Sequence, residues 1–455
     1  MDLQTIAAIS TPLGVGGLGV VRLSGPQALE VAGRVARLAD GRPVTQLPGY
    51  TCAFGHVFDQ QGEIDEVVVT VFRAPKSSTG EPVAELSIHG GPYLLERLLR
   101  ACYAAGARPA QPGEFTKRAF LHGKLDLTRA EAVADLIAAQ GRQAAQAALA
   151  AKEGALYRRA RQVTGQLLEL AAHLAAWIDY PEEDLPQVEP QALEGSLAQA
   201  AGALEQLLAT YDTGRVIREG VETAIVGRPN AGKSTLMNLL AGAPRSIVTQ
   251  QAGTTRDVVT ETVRLGEVVL RLADTAGIRE SGDLVEQMGV ALAEERLRQA
   301  QLVLAVFDGS QPLSEDDRRV IEACQGCCCI GLVNKNDLPQ QVELEQLREK
   351  FPRLLVLSAQ EPESRELLAR EIGEVFRLEG FDPGAAVVAN ERQYAAVAQA
   401  LGETREALAA ARAGVSYDAV CVCIQGAADA LLELTGEKAS QAVVDQVFSR
   451  FCVGK

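Results

Sequence analysis

Residues Gly227, Arg228, Pro229, Asn230, Ala231, Gly232, Lys233 and Ser234 follow the order G-x-x-x-x-G-K-[ST], a spacing suited to holding phosphate. Glycines let backbone N–H groups turn inward around phosphate oxygens, Lys233 brings a point charge, and Ser234 offers a hydroxyl to Mg²⁺. Such a loop needs a strand to deliver it and a helix whose N-terminus faces the anion. Glu222 to Val226 is an apolar, strand-like run, and Thr235 to Ala241 is helix-like. A lone match would be weak, since a glycine-rich turn can produce one. With these flanks it predicts a nucleotide site with contacts from Asn230, Ala231, Gly232, Lys233, Ser234 and Thr235.

Four further segments follow: Gly253 to Asp257, Asp274 to Gly277, Asn334 to Asp337, and Ser358 with Ala359. Their order and rough spacing are those of the GTPase motifs. They predict GTP contacts from Thr255, Asp274, Thr275, Ala276, Gly277, Asn334, Lys335, Asp337, Ser358 and Ala359, with Ser234 and Thr255 as the Mg²⁺ ligands. Asp337 would choose the base. Its two carboxylate oxygens match the adjacent N1–H and N2 amino donors of guanine, whereas adenine offers no such pair. A buried Asp337 left unpaired would discriminate by roughly 10⁴ or more. After Gly277 stands Ile278, where Ras-like enzymes carry a Gln that orients the attacking water. An apolar side chain cannot do this, so the orienting group must come from elsewhere. No arginine finger is evident, although Arg256 and Arg279 are candidates by position.

The chain has 455 residues, too many for one simple core, and 47% hydrophobic residues, ordinary for a soluble protein. No apolar run approaches the ~18 residues needed to cross a bilayer, and no basic segment precedes an apolar one at the N-terminus, so a cytoplasmic protein with no membrane partner is expected. The nine cysteines form no disulfide framework. Cys324, Cys327, Cys328 and Cys329 resemble a metal cluster, but Cys327 to Val333 reads as a buried strand in which Cys is a small hydrophobe. Cys421 and Cys423 read as core for the same reason. The net charge of −15 argues against indiscriminate polyanion binding. From Arg97 to Arg161, however, Lys and Arg (97, 100, 108, 117, 118, 124, 129, 142, 152, 158, 159, 161) outnumber Asp and Glu (114, 126, 131, 135, 153) by seven. A nucleic-acid-facing surface and a solvated helix face explain that excess nearly equally well.

The elements that must position these residues change character along the chain. The first ~118 residues are strand-rich, with β-branched runs such as Val67 to Phe72. Gly14 to Gly19 is a literal G-x-G-x-x-G, but Val20 to Leu23 reads as a strand rather than an opening helix, so a dinucleotide motif is rejected. His89, Gly90 and Gly91 lack a nucleophile elbow and read as a structural turn. Residues 119–215 are Ala- and Leu-rich with helical periodicity over Ala130 to Ala151 and Tyr157 to Ile178, and the Pro181 to Pro186 stretch breaks the pattern. Residues 216–379 alternate strand and helix, with strands at Val268 to Ala273, Leu302 to Phe307 and Leu354 to Leu357, and an antiparallel strand at Val258 to Leu265. Residues 380–455 return to helix. The expected fold is multidomain α/β: a Ras-like P-loop GTPase domain inserted into an all-α helical domain, preceded by an α+β N-terminal domain.

Several segments resemble one family. Thr5 to Pro12, Val21 to Gly25, His89 to Pro92, Pro112 to Phe115 with Lys124 to Leu127, Ile178 to Asp184 and the tail Phe451 to Lys455 are similar to the MnmE (TrmE) family of tRNA-modification GTPases over essentially the whole chain. Val453 departs from the Ile usual there, a conservative change. The resemblance implies a homodimer joined through an N-terminal domain of folate-binding type, residues 1–118. It also implies an FAD- and NADH-using partner, MnmG, in a heterotetramer, and an aminomethyl or carboxymethylaminomethyl group added at C5 of wobble uridine in tRNA. The one-carbon donor would be 5-formyl-tetrahydrofolate or a related folate, held by Arg22, Glu85, Lys124 and Lys455. The chemistry suits it, because the folate tail is anionic and a pterin donor edge can be accepted by a carboxylate.

By the same resemblance Glu286 orients the water, and a K⁺ ion held by Asn230, Thr249, Gln251 and Thr254 replaces the arginine finger while two GTPase domains meet; Thr249 also counts among the GTP contacts. A cation there would neutralise developing charge. Cys452, beside the cation Lys455, is the candidate nucleophile toward a one-carbon adduct, with a packed hydrophobe as its rival reading. The alternative for the whole chain is a GTP-switched ribosome-assembly factor like Era or Der. Those carry a KH-type RNA-binding appendix or a second GTPase domain, and here the phosphate-loop pattern occurs once and the C-terminus is helical.

Overall fold

The structure is a computed structural model that describes residues 4–179, 189–242, 261–272 and 300–454. The chain forms two compact units. The first comprises Met1–Ala134, Ala151–Leu204 and Ala395–Lys455; the second comprises Asp135–Ala150 and Glu205–Tyr394.

The first unit begins with β1 (Ile6–Ile9), β2 (Gly16–Ser24), β3 (Ala36–Leu38), β4 (Thr51–Asp59), β5 (Gly62–Phe72), β6 (Val83–Gly90) and β7 (Arg108–Pro109). They form one sheet in the order β3-β4-β5-β6-β2-β1-β7. Alternation explains how it packs. Val67, Val69 and Val71 are buried while Val68 is exposed, and Val21, Leu23, Leu86 and Ile88 join them in one core. Side chains of a strand point alternately to opposite faces. The helices Ala28–Val35 and Pro92–Ala104 bury Val31, Ala32, Leu95 and Leu98 against that core. Arg22 and Glu85, one position away from core residues, therefore face the other side. Gly14 to Gly19 overlaps the start of β2 and opens no helix. His89 and Gly90 end β6, and Gly91 caps the Pro92–Ala104 helix, a strand-to-helix junction in place of the expected simple turn.

The helical part of this unit pairs Ala155–Asp179 with Tyr417–Thr435, which buries Val420, Ile424, Ala427, Ala428, Leu431 and Leu434 at helical spacing. The Cys421 thiol reaches the Ala171 carbonyl oxygen at 3.7 Å. The periodic run Ala130 to Ala151 is two helices, Leu127–Ala138 and Arg142–Lys152, interrupted at 139–141 around Gly141. Periodicity persisted across the break because the residues on either side are mostly Ala and Gln.

The second unit holds β8 (Val221–Val226), β9 (Glu261–Leu265), β10 (Val268–Leu272), β11 (Leu302–Asp308), β12 (Cys329–Asn334) and β13 (Leu354–Val356). Their order is β13-β12-β11-β8-β10-β9, parallel throughout except for β9, which runs antiparallel to β10. All seven residues of β11 are buried, as a central parallel strand covered on both faces requires. The order reverses at β8. Ligands of open α/β sheets bind outside the carboxyl ends of the strands at such a switch point, and Gly227 to Ser234 leave β8 there.

Candidate functional site

The phosphate loop runs from Gly227 into the helix Lys233–Ala241. Asn230 (φ 62°) and Gly232 (φ 100°) are both left-handed, the kind of backbone turn from which anion-binding N–H concavities are built. Asn tolerates this conformation better than other side chains do. Gly232 must lack a side chain, because a Cβ there would stand 2.0 Å from Nδ2 of Asn334. The helix N-terminus adds its partial positive charge to the loop. Lys233 Nζ donates to the carbonyls of Gly227 at 2.6 Å and Arg228 at 2.7 Å, and burial lowers its pKa. Ser234 and Thr235 are exposed on the first turn. The arrangement is a half-cup of donors with one ammonium at its rim, chemistry suited to a polyphosphate.

Asn334 ends β12 and joins three segments. Its Nδ2 donates to the Ala231 carbonyl at 3.0 Å, and its Oδ1 accepts the Ala359 N–H at 2.8 Å. Ser358 donates from Oγ to Oδ1 of Asp337 at 2.7 Å. Residues more than 100 positions apart, Ala231, Asn334, Asp337, Ser358 and Ala359, thus share one locality. Asp337 is exposed, contrary to the burial that would give it full discriminating power. It lies on the turn that follows the strand. Lys335 (φ 66°) donates to Oδ2 of Asp308 at 2.7 Å. Burial alone would raise the Asp308 pKa, but hydrogen bonds from Lys335 and Ser310 outweigh it and hold the carboxyl below its usual range.

Thr249, Gln251, Thr254, Thr255, Asp274, Thr275, Ala276, Gly277 and Glu286 lie outside the described residues, as do Arg256, Ile278, Arg279, residues 180–184 and Lys455.

A second cluster lies on the sheet face of the first unit opposite its helices. Arg22 and Glu85 are register partners across β2 and β6, and Nε of Arg22 donates to Oε1 of Glu85 at 2.8 Å. The Arg22 guanidinium also sits 5.8 Å from the centre of the Phe115 ring. The C-terminal tail arrives at the same place. Phe448 and Phe451 pack with Leu127, Ala130, Val444 and Val447. The Gly113 N–H donates to the Cys452 carbonyl at 3.3 Å, and Arg22 and Ser10 both donate to the Gly454 carbonyl. Gly454 (φ 96°) admits no side chain, since a Cβ would stand 2.3 Å from the Ile9 carbonyl oxygen. Cys452 itself is exposed, which removes the reading of it as a buried hydrophobe. Lys124 is exposed after the helix Glu114–Leu121, tied by its backbone N–H to the Ala119 carbonyl at 2.8 Å.

Two family models match the chain. One, the GTP-binding protein TrmE N-terminus, covers residues 5–124, and the other, the MnmE helical domain, covers residues 127–452. The tRNA modification GTPase MnmE of Geobacillus kaustophilus is 41% identical over 100% of both chains. That of Symbiobacterium thermophilum is 43% identical, again over 100% of both. The chain belongs to the MnmE family of tRNA modification GTPases. A crystal structure of Era with MgGDPNP and nucleotides 1506–1542 of 16S ribosomal RNA is 24% identical and covers 40% of this chain and 66% of its own, at a TM-score of 0.26, too loose an overlay to bear on the site.

Some residues of these two clusters escape motif spacing. Asp308 and Arg228 as a side chain were not singled out from sequence, and Ser10 and Phe115 stood only within the segments that carry the family resemblance. Asp308 had a signal, an acid ending an apolar run beside the phosphate-loop strand. The role of Ser10 depends on the docked tail, which it meets at the Gly454 carbonyl. The basic excess between Arg97 and Arg161 is offset in part by partners elsewhere in the chain. Arg97, Arg100, Arg108, Lys117, Arg118, Arg129 and Arg161 are ion-paired within the protein, five of them with carboxylates outside that segment. The cysteines also differ from expectation. β12 begins at Cys329, Cys328 is exposed, and Cys423 is half-buried beside Glu403 and Glu406 rather than in the core. No helix among the described residues is long and apolar enough to cross a membrane.

Proposed function

We propose that this protein hydrolyses GTP in the service of tRNA modification, with Mg²⁺ held by Ser234 and Thr255. The observation that carries the reading is Asn334, which joins the phosphate loop at Ala231 to the base-reading segment at Ala359. The exposed Ser234 hydroxyl, on the first turn after the loop, fits a metal at the phosphates. The cation supplies charge neutralisation, and the protein supplies placement. Loop N–H groups and Lys233 hold the β- and γ-phosphates, Asp337 reads guanine, and Glu286 orients the attacking water. Lys233 must give up two carbonyl partners to do so, and a phosphate oxygen replaces them with a charge-assisted hydrogen bond. Asn230, Thr249, Gln251 and Thr254 hold K⁺ in place of an arginine finger.

On the same reading the protein is a homodimer working with an FAD-dependent MnmG-type partner. It adds an aminomethyl or carboxymethylaminomethyl group at C5 of wobble uridine, using a formyl-tetrahydrofolate-type donor. Glu85 offers an acceptor to the pterin edge, and Arg22, Lys124 and Lys455 offer cations to the glutamate tail. Arg22 and Glu85 already neutralise one another, so the ligand must engage both at once, with its pterin edge at Glu85 and its anionic tail at Arg22 and the lysines. Cys452, exposed at that place, is the nucleophile. Nucleoside mass spectrometry of tRNA from cells lacking this protein tests the reading. Loss of the C5-modified wobble uridine is expected, and an unchanged nucleoside profile would overturn it.

A further inference from the structure

Asp308 touches both nucleotide-binding loops without belonging to either. It closes β11 at the carboxyl edge of the sheet, where its Cα registers with that of Asn334. Its Oδ1 accepts the N–H and hydroxyl of Ser310, at 3.0 and 2.6 Å, which fixes the carboxylate plane. Its Oδ2 accepts Lys335 at 2.7 Å and lies 3.8 Å from Nη2 of Arg228. The side chain is 3% exposed, so these pairings are scarcely screened.

Arg228 reaches it from the phosphate loop. Its side chain turns away from the cup, pairs with Asp317 at 3.5 Å and donates to Gln311 at 3.0 Å, while its own carbonyl holds Lys233. Asp317 is bound in turn. It forms a capping box with Ser314 at the start of the helix Glu315–Ala323, and its Oδ1 is a buried acceptor with no hydrogen-bond partner among the described residues. Two cations and two carboxylates thus form a neutral set around the end of β11. The backbone repeats the connection, because the Gly309 N–H donates to the Asn334 carbonyl at 2.8 Å. Lys335 sits at φ 66°, a conformation that costs a residue with a Cβ about 1 kcal/mol or more unless its surroundings hold it.

We propose that Asp308 is a positioning residue that sets the phosphate loop and the base-reading loop in register, holding Lys335 of one and drawing on Arg228 of the other from a single buried carboxylate. The proposal rests on the GTP reading above. It implies that a change in the phosphate loop, at a side chain facing away from the ligand, is felt at the base.

The test is equilibrium titration of the full chain with fluorescent GDP, and with inosine diphosphate, which lacks the amino group that Asp337 reads. Asp308→Asn should raise the Kd for GDP about tenfold or more with little change in melting temperature. Arg228→Gln should weaken GDP binding and also lower the preference for GDP over inosine diphosphate by about threefold or more, and Arg228→Lys should restore part of both. The double variant should lose less than the product of the single losses. Should Asp308→Asn fail to fold, the Arg228 pair decides alone. A preference unchanged in Arg228→Gln, or losses that simply multiply, would overturn the coupling. Wild-type protein without affinity for GDP would instead sink the nucleotide reading and this inference with it.

Discussion

Nη1 of Arg22 lies 3.3 Å from the carbonyl oxygen of Gly454, 432 positions along the chain, and the Ser10 hydroxyl donates to the same oxygen at 3.0 Å. Chain ends are ordinarily frayed. This one is seated by Phe448 and Phe451, whose burial is worth about 1.5–3 kcal/mol each. Seating leaves Cys452 exposed on the tail whose Gly454 carbonyl meets Arg22, the place where we propose the one-carbon chemistry.

Deleting Cys452 to Lys455 is therefore expected to abolish wobble-uridine modification while GTP binding and K⁺-stimulated hydrolysis persist, since the GTPase motifs belong to the other unit. Gly454→Ala should reproduce much of the loss by unseating the tail, and Cys452→Ser should fail with the tail still seated. Modified tRNA at the normal level from the truncated protein would return the tail to ordinary fraying.

On the proposed reading, base choice rests on Asp337. Asp337→Asn should shift preference from GTP toward xanthosine triphosphate, because an Asn amide can donate to the carbonyl that replaces guanine's amino group. Since Asp337 is exposed and held on one oxygen by Ser358, the shift should fall short of the roughly 10⁴ expected of a buried carboxylate. Competition binding with the two nucleotides measures it, and retained GTP preference would remove Asp337 from base recognition.

How much of this was legible in the sequence follows from range. The phosphate loop, β8 and the helix after it were, because glycine spacing and apolar runs are local. The rejection of Gly14 to Gly19 as a dinucleotide loop was equally local, and β2 runs through it. The break at 139–141 was hidden by a composition that is helical on both sides. Exposure of Asp337 and Cys452 was not legible, because it depends on where a loop leaves the surface. Nor was Asp308, whose role needs Arg228 and Lys335 brought together from β8 and β12. The Arg22 and Glu85 pair was reached through resemblance, and its cause is sheet register across 63 positions.

Glu286→Ala should keep nucleotide affinity and lose roughly 10²–10³ or more in turnover, as for removal of a general base or water-orienting group. Single-turnover hydrolysis measures this directly, and a normal rate would place water orientation elsewhere.

Acid should loosen the first unit through Glu114. Burial alone would raise its pKa, but hydrogen bonds from Arg108, the Gln111 N–H and Arg118 lower it from 4.5 to about 2. Because the folded pKa is depressed, the stabilisation is fully present above pH 4.5 and is lost as pH falls toward 2. Glu114→Gln should thus be clearly less stable than wild type at pH 7, with the gap closing between pH 4.5 and 2. Denaturant titration followed by circular dichroism reads that gap, and a gap constant across the range would assign the stability to packing.

The most direct measurement is the rate of GTP hydrolysis in K⁺ and in Na⁺ at equal ionic strength, for wild type and Asn230→Ala. Faster hydrolysis in K⁺, with the difference abolished by Asn230→Ala, is the predicted result. No hydrolysis in either salt would contradict the GTPase function itself, and equal rates in both would contradict the potassium mechanism and return attention to Arg256 and Arg279.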